Sequence, residues 1–360
     1  MTLICRLSAY LLIFSSLNLH AQENKQIDSL KLILEHSKED TFKVDILGKI
    51  ARNYNNKRLL DSAIKYGNLS LQLAEKLKYQ IGMAYGNFVL GYSYLYKSAD
   101  AELVNFTDTI FIRYYTNAIK IYEEIKKGDY LIVQMLNTLG SYYYNSNEEL
   151  YDSTKYQIAL DYFLRCLKKK EGFGYVKEKD IYFNTANAYS KLKNIPKALE
   201  FYLKALRIAE AENDKTEQIT ILMVIGYTYY WELDTANALQ YLLKALKISD
   251  EAEIKSDLLL YYLGAVYAKQ SHFSKALEYY LKALDIAKKI DSKSRLPVIL
   301  LNIALAYSSR GNYADAIDYY LKALKQAEKE SNVHQLANIY NQLGYMYRKL
   351  NNDSLAFQNF

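Results

Sequence analysis

The sequence predicts an all-α solenoid of paired helices, and three observations carry that expectation. Only 2 of the 360 residues are proline, which leaves room for long unbroken helices. Tyrosine accounts for 38, a surplus that calls for a regularly recurring structural position. One ten-residue block also recurs along the chain. It reads Lys-Ala-Leu-Glu-Phe-Tyr-Leu-Lys-Ala-Leu from Lys197, Asn-Ala-Leu-Gln-Tyr-Leu-Leu-Lys-Ala-Leu from Asn237, Lys-Ala-Leu-Glu-Tyr-Tyr-Leu-Lys-Ala-Leu from Lys275 and Asp-Ala-Ile-Asp-Tyr-Tyr-Leu-Lys-Ala-Leu from Asp315. Self-similarity at a near-constant period marks repeated supersecondary units. With 51% hydrophobic and 24% charged residues the chain buries a large core, so disordered and collagen-like classes are excluded.

Residues 1–21 read as a secretory signal. Arg6 is followed by an apolar run from Leu7 to Leu19, interrupted by Ser15 and Ser16, and then by Leu19-His20-Ala21. Cleavage is expected after Ala21, leaving Gln22 first. The run is shorter than the ~20 apolar residues of a spanning helix, which favours cleavage over retention as an anchor. Cys5 precedes the run, which argues against a lipidated cysteine, and its removal leaves Cys166 as the only thiol of the mature chain. No intramolecular disulfide can then form, so packing supplies the stability. Residues 22–43 place Ile27, Leu30, Ile33 and Leu34 on one helical face, suiting an N-terminal capping helix.

From residue 44 onward one register recurs. The first alanine of each block is Ala63, Ala118, Ala159, Ala198, Ala238, Ala276, Ala316 or Ala356. Upstream of these stand Tyr54, Tyr94, Tyr143, Tyr189, Tyr229, Tyr267, Tyr307 and Tyr347. Three residues before each tyrosine is a small residue: Ala51, Gly91, Gly140, Ala186, Gly226, Gly264, Ala304 or Gly344. Each unit reads as two amphipathic helices. Leu260, Leu263, Gly264 and Tyr267 share one face of a first helix, and Ala276, Tyr280 and Ala283 share one face of a second. Small residues let the two backbones approach closely. Asp61, Asp234, Ser274, Asp315 and Asp353 are placed to cap second helices, and Pro196 and Pro297 sit where helices begin. The expected units are 44–83, 84–132, 133–178, 179–218, 219–256, 257–296, 297–336 and a truncated 337–360.

This pattern resembles the tetratricopeptide repeat over roughly residues 44–360: a large residue, Leu-Gly, Tyr, then Ala, an aromatic and Ala. The resemblance implies a right-handed superhelical α-solenoid of helix-turn-helix repeats. The family's opening tryptophan is replaced by Leu47, Asn87, Leu136, Tyr182, Leu222, Leu260, Leu300 and Tyr340. Its closing proline gives way to Glu75, Glu171, Glu210, Asp250, Lys288 and Glu328. Spacings of 38 to 40 residues in the later half imply lengthened second helices. Tyr94 to Ala118 is 24 residues and Tyr143 to Ala159 is 16, against nine elsewhere, so insertions are expected near Ser98–Arg113 and Asn145–Tyr156. Phe360 falls where the aromatic of a second helix belongs, so the eighth unit is expected to continue in a longer protein.

Readable chemistry is sparse. A formal charge of +6, from 46 basic and 40 acidic residues, is spread along the chain with Lys168-Lys169-Lys170 as its longest basic run. That is not the concentrated stripe of a nucleic-acid binder, so no nucleic-acid partner is expected. His36, His272 and His334 lie on different units without ligand-spaced partners, so no metal and no cofactor is expected. Gly172-Phe173-Gly174 lacks the third glycine and the preceding strand of a phosphate loop. Cys166 takes a slot filled by alanine in later units, and the pairs Glu123-Glu124 and Glu148-Glu149 diverge on a helix. No nucleophile and base come together, so the chain is expected to be non-catalytic.

The expected activity is binding of a protein or peptide partner. The resemblance to the repeat family places groove-facing residues on the concave face of the first helices. Here these are Tyr85, Phe88, Tyr92, Asn137, Tyr144, Phe183, Asn187, Met223, Tyr227, Tyr230, Tyr261, Leu301, Asn341, Tyr345 and Arg348. Aromatics interspersed with asparagine can bury apolar side chains and hydrogen-bond a peptide backbone. Some family members clamp a partner's terminal carboxylates with Lys and Asn. Gly48 and Arg52 hold those slots here, so that specificity is not implied. The expected location is the periplasm or cell envelope. A more specific alternative is the periplasmic sensor region of a membrane signalling protein, such as a histidine kinase or DNA-binding regulator, whose output domain lies outside this sequence.

Overall fold

The computed structural model describes residues 25–100, 109–146, 153–169, 177–292, 295–329 and 333–359, with no strand among them. The signal segment, Gly172-Phe173-Gly174, the His334 side chain, Phe360 and parts of both insertions lie outside the described residues. The chain divides into two compact bodies, Met1–Leu192 and Lys193–Phe360. The first holds α1 (25–35), α2 (Thr41–Asn56), α3 (Leu60–Lys76), α4 (Gln80–Asp100), α5 (Ile110–Glu124), α6 (Asp129–Asn145), α7 (Ser153–Lys168) and α8 (Glu178–Lys191). Its antiparallel pairs are α2 with α3, α4 with α5 and α6 with α7. The second holds α9 (Ile195–Ala211), α10 (Lys215–Trp231), α11 (Thr235–Glu251), α12 (Asp257–Lys269), α13 (Phe273–Lys289), α14 (Leu296–Ser309), α15 (Tyr313–Lys329), α16 (Val333–Lys349) and α17 (Asp353–Asn359). Its pairs are α10 with α11, α12 with α13, α14 with α15 and α16 with α17.

Two contacts, repeated from pair to pair, explain the register. A Cβ added at Gly264 would lie 2.5 Å from the Tyr280 ring, at Gly140 2.6 Å from Phe163, and at Gly226 2.7 Å from Leu242. The small residue of the first helix therefore receives the large side chain four residues after the first alanine of the second. The tyrosine one turn later stacks face to face on an aromatic of the second helix. Centroids lie 5.6 Å apart for Tyr54–Tyr66, 5.8 Å for Tyr143–Tyr162, 5.6 Å for Tyr229–Tyr241, 5.5 Å for Tyr267–Tyr279 and 5.5 Å for Tyr307–Tyr319.

The same contacts correct the reading of the second unit. Gly91 meets Tyr115, and Tyr94 stacks on Tyr114 at 5.6 Å. The first-alanine slot is therefore occupied by Phe111, seven residues before Ala118. Ala118 fills the later small-residue slot, as Cys166 and Ala283 do. The insertion between Tyr94 and this slot is accordingly about eight residues rather than about 15, part of which lengthens α4 to 21 residues. A buried Phe111 replaces the alanine, so alanine spacing alone pointed two turns too far along.

The turns are built by residues in the left-handed region. Four residues after the register tyrosine stand Arg58, Lys193, Leu233, Ser271, Gly311 and Asn351, all with positive φ. After second helices the same role falls to Lys78, Lys126, Asn213, Glu253 and Asp291. Following first helices, the next N–H closes back on the tyrosine carbonyl, as from Asp234 to Tyr229 at 3.0 Å and from His272 to Tyr267 at 2.9 Å, the bond pattern of a Schellman ending. Leu233, exposed with φ 62°, carries strain that glycine would not. Leu233→Gly is expected to raise stability by about 0.5–1 kcal/mol, the strain relief less the added freedom of the unfolded chain. Gly311→Ala, with φ 80° and nothing near its Cβ, is expected to cost about 1 kcal/mol. Denaturant melts of both variants check the pair of signs.

Capping differs in detail from the expectation. Asp234 accepts a hydrogen bond from the Asn237 N–H at 3.0 Å, and Pro196 and Pro297 sit in first turns. Asp61, Asp315 and Asp353 instead lie inside the first turns of their helices, where they favour the positive end of the helix dipole. His272 is the N-cap residue of α13, so Ser274 also lies inside the first turn, two residues past the cap, and Asn352 caps α17 by accepting from Leu355. In α1, Ile27 is buried and Leu30 and Leu34 are half-buried, but Ile33 is exposed. Residues 27, 30 and 34 share one stripe, and 33 falls beside it.

Tyr320 is fully buried, and its hydroxyl has no hydrogen-bond partner. Tyr320→Phe is expected to leave stability unchanged or raise it by up to about 1 kcal/mol. A thermal melt showing a clear loss would reveal a partner for that hydroxyl.

Candidate functional site

In the first body the first helices α2, α4 and α6 enclose a cleft of about 150 Å³. It is lined by Arg52, Asn55 and Asn56 of α2, Phe88, Val89 and Tyr92 of α4, and Tyr130 and Gln134 of α6. Its floor is a buried polar link. Asn55 Nδ2 donates to the Val89 carbonyl at 3.1 Å, and Ser93 Oγ donates to Asn55 Oδ1 at 2.8 Å. Buried amides need such partners, and here they fix α2 against α4. Tyr92 packs 4.6 Å from the Tyr96 ring, over which the Arg58 guanidinium sits at 3.9 Å. Burial, then the hydrogen bond with Tyr96, push the Tyr92 hydroxyl up to about 12, with Arg58 and Arg52 pulling the other way. It is a neutral hydrogen-bonding group at physiological pH.

The other groove residues expected in this body have mixed fates. Phe88 is buried and stacks on Tyr115 at 6.2 Å, so it serves the core as well as the cleft floor. Half-buried Tyr85 packs on Gly48 and Phe88, between first helices. Tyr144 meets Tyr156 of α7 at 5.6 Å, and burial pushes its hydroxyl up to about 12. Asn137 accepts from Asn184 Nδ2 at 3.4 Å, linking α6 to α8, while Phe183 and Asn187 are half-buried on α8. Asn55, Tyr130 and Gln134 were not among the expected residues. Asn55 stands one residue after the register tyrosine Tyr54, the signal that could have found it.

In the second body an aromatic cluster joins α10 to α12. Tyr227 lies 6.4 Å from Tyr230 with planes 16° apart, 5.9 Å from Trp231 at 87°, and 4.6 Å from Tyr262. Trp231 also stands at 78° to Tyr230, and it is 65% exposed. Tyr261, half-buried against Tyr262 and Tyr280, accepts from Asn302 Nδ2 of α14 at 3.4 Å. Met223 is buried and Leu301 is half-buried against the core. Asn341, Tyr345 and Arg348 are exposed on α16, with the Arg348 guanidinium 5.9 Å from the Tyr345 ring centroid. Tyr262 escaped the sequence reading because Tyr227 reaches across to the next first helix, which no intra-unit pattern encodes, whereas Trp231, one turn beyond Tyr227 at the end of α10, stands near the groove edge as its place in the sequence implies.

Reactive chemistry does not gather at either surface. Burial pushes the Cys166 thiol up to about 12, and its Sγ lies 3.6 Å from the Val133 carbonyl, so it behaves as a core residue. Among the described residues no group of three or more His, Cys, Asp or Glu could hold a metal ion, and no helix is long and apolar enough to cross a membrane.

Comparison with known proteins agrees with this architecture. A tetratricopeptide repeat family model matches residues 180–251 and 295–360, and a second matches residues 258–290. No curated protein matches the chain in sequence. Among solved structures, the apo form of RapI is similar with a TM-score of 0.62 at 16% identity, over 88% of this chain and 84% of that one. A signal transduction ATPase with numerous domains from Pyrococcus horikoshii, bearing a tetratricopeptide repeat sensor, gives 0.54 at 16% identity, over 87% of this chain and 52% of that one. BtubC from P. vanneervenii gives 0.50 at 19% identity, over 57% and 86%. At these identities the likeness concerns the fold. Residues 44–179 repeat the same glycine–aromatic and tyrosine–tyrosine contacts that occur in the matched half. The chain is a tetratricopeptide-repeat protein.

Proposed function

We propose that this protein binds peptide segments of a protein partner on the concave, first-helix face of its repeats. Tetratricopeptide repeats form a protein-interaction scaffold and are typically non-catalytic; the face used and the ligand's form are the finer reading. One observation carries it: half-buried aromatic and amide side chains collect on first helices, in the α2–α4–α6 cleft and the α10–α12 ring cluster. Side chains of this kind bury apolar area and hydrogen-bond a peptide at small entropic cost. Residues 1–21 support export to the cell envelope, and sequencing of the exported chain is expected to begin at Gln22.

The test is peptide display panned on the full chain. Enriched peptides are expected to lose at least tenfold in affinity with Arg52→Ala plus Tyr92→Ala, or with Tyr227→Ala plus Tyr230→Ala. They are expected to keep it with Leu243→Ser plus Leu281→Ser, exposed positions on second helices. The opposite pattern would place binding on the second helices and sink the proposal.

A further inference from the structure

We propose that the α2–α4–α6 cleft receives the carboxylate of an Asp or Glu side chain carried by the bound segment. This rests on the first-helix reading above and names the group that one surface selects. Size, hydrogen bonding and charge each bear on that choice.

Volume sets the scale. A void of about 150 Å³ accommodates one side chain of a ligand. Lined by apolar groups, a cavity of that size holds a ring such as benzene. Here the lining includes the Arg52 guanidinium, the amides of Asn55, Asn56 and Gln134, and the phenols of Tyr92 and Tyr130, which favour a polar group of similar size.

Hydrogen bonding then favours an acceptor. Asn55 is only 3% exposed, yet it lines the cleft. Val89 accepts from one of the two Nδ2 hydrogens, and Ser93 donates to Oδ1; among the described residues the second Nδ2 hydrogen has no acceptor. A buried donor of this kind needs an acceptor, from solvent or from a ligand. A carboxylate only accepts, whereas a Gln or Asn side chain brings two hydrogens of its own to a site already supplied with donors. The Arg52 guanidinium adds a fork of N–H groups whose planar geometry matches a carboxylate.

Charge separates a carboxylate from a neutral acceptor. The cations acting on the Tyr92 hydroxyl are Arg58 and Arg52. Asp129, next to Tyr130 in the chain, is held by Lys169 at 2.9 Å, and Asp61 is held by Lys97 at 2.7 Å. Among the described residues no carboxylate lines the cleft. One lining cation matches one carboxylate. Gly48 stands where some family members place the lysine of a terminal-carboxylate clamp, so an internal acidic side chain fits better than a chain end.

Titration calorimetry on the full chain would compare four N-acetylated peptides of equal length on one Ser/Leu/Tyr background. Three are C-terminally amidated and carry a central Glu, Gln or Lys; the fourth carries the Gln and a free terminal carboxylate. The Glu peptide is expected to bind at least tenfold more tightly than the other three, with an advantage that shrinks as salt is raised. Arg52→Gln, with helical circular dichroism confirming the fold, is expected to abolish that advantage, and Arg52→Lys to keep part of it. Equal binding of the Glu and Gln peptides, no binding of the Glu peptide, or an advantage that survives Arg52→Gln overturns the proposal. Tightest binding by the free-terminus peptide overturns the assignment to a side chain. If the Glu and Gln peptides bind equally and both are weakened by Tyr92→Ala, the acidic assignment falls while first-helix binding stands. If the peptides respond only to Leu243→Ser plus Leu281→Ser, both fall.

Discussion

Tyr115→Ala is expected to cost about 3–5 kcal/mol, the largest loss of any single substitution considered for the first body. The side chain is fully buried and faces Gly91, with Phe88 stacked on it at 6.2 Å and Phe111 edge-on at 6.0 Å. Removing the ring leaves a cavity walled by a glycine that has no side chain to fill it and two aromatics held by their own neighbours. The cost combines lost burial with an uncollapsed void. Because repeat units depend mainly on their nearest neighbours, the damage should be local. Hydrogen exchange is expected to show protection lost across α4 and α5 and retained across α12 and α13. Uniform loss over both bodies, or a denaturant shift below about 1 kcal/mol, would contradict this account of the α4–α5 contact.

Gly264→Val is the second large effect, with an expected loss of about 3 kcal/mol or more. An added Cβ would meet Tyr280 Cδ1 at 2.5 Å and Cε1 at 2.6 Å, and that ring is itself buried. Alanine is a milder case. The equivalent slot one unit later holds Ala304 opposite Tyr320, so the helix pair can open by a methyl group. The better helix propensity of alanine, worth about 1 kcal/mol, offsets part of the strain. Valine adds two more carbons in the same direction and cannot be absorbed that way. A double-mutant cycle with Tyr280→Leu is expected to recover at least about 1 kcal/mol of the loss. Strictly additive losses would show that Tyr280 is not what the valine strikes.

Particular residues show how far the sequence could be read. The pairing of Gly264 with Tyr280, and of Tyr267 with Tyr279, follows from helical periodicity and local spacing, because both partners lie within one helix-turn-helix. The second unit resisted for a physical reason: Phe111 occupies a slot normally held by alanine, and only Gly91 against Tyr115 reveals it. The left-handed residues at the turns were illegible too. Arg58, Lys193 and Leu233 are not glycine, and their φ is imposed by the tight closure between helices rather than by their own preference. Among the candidate binding residues, Tyr92, Tyr227 and Tyr230 could be named from their positions, whereas Phe88 turned out to be buried and Tyr85 wedged between first helices.

Taken by itself, the amino-acid order determined the all-α class, the paired-helix unit, its near-40-residue period and the recurring small–tyrosine–alanine register. Those are local properties, set by spacings of three, four and seven residues within a helix and by the contacts of one helix with the next. Tertiary structure alone decided which tyrosines serve the core and which form a surface. Tyr227 reaches Tyr262 and Asn55 reaches Val89 across first helices of neighbouring units, and such contacts depend on how units stack. Stacking is a property of pairs of repeats, and no single repeat's sequence contains it.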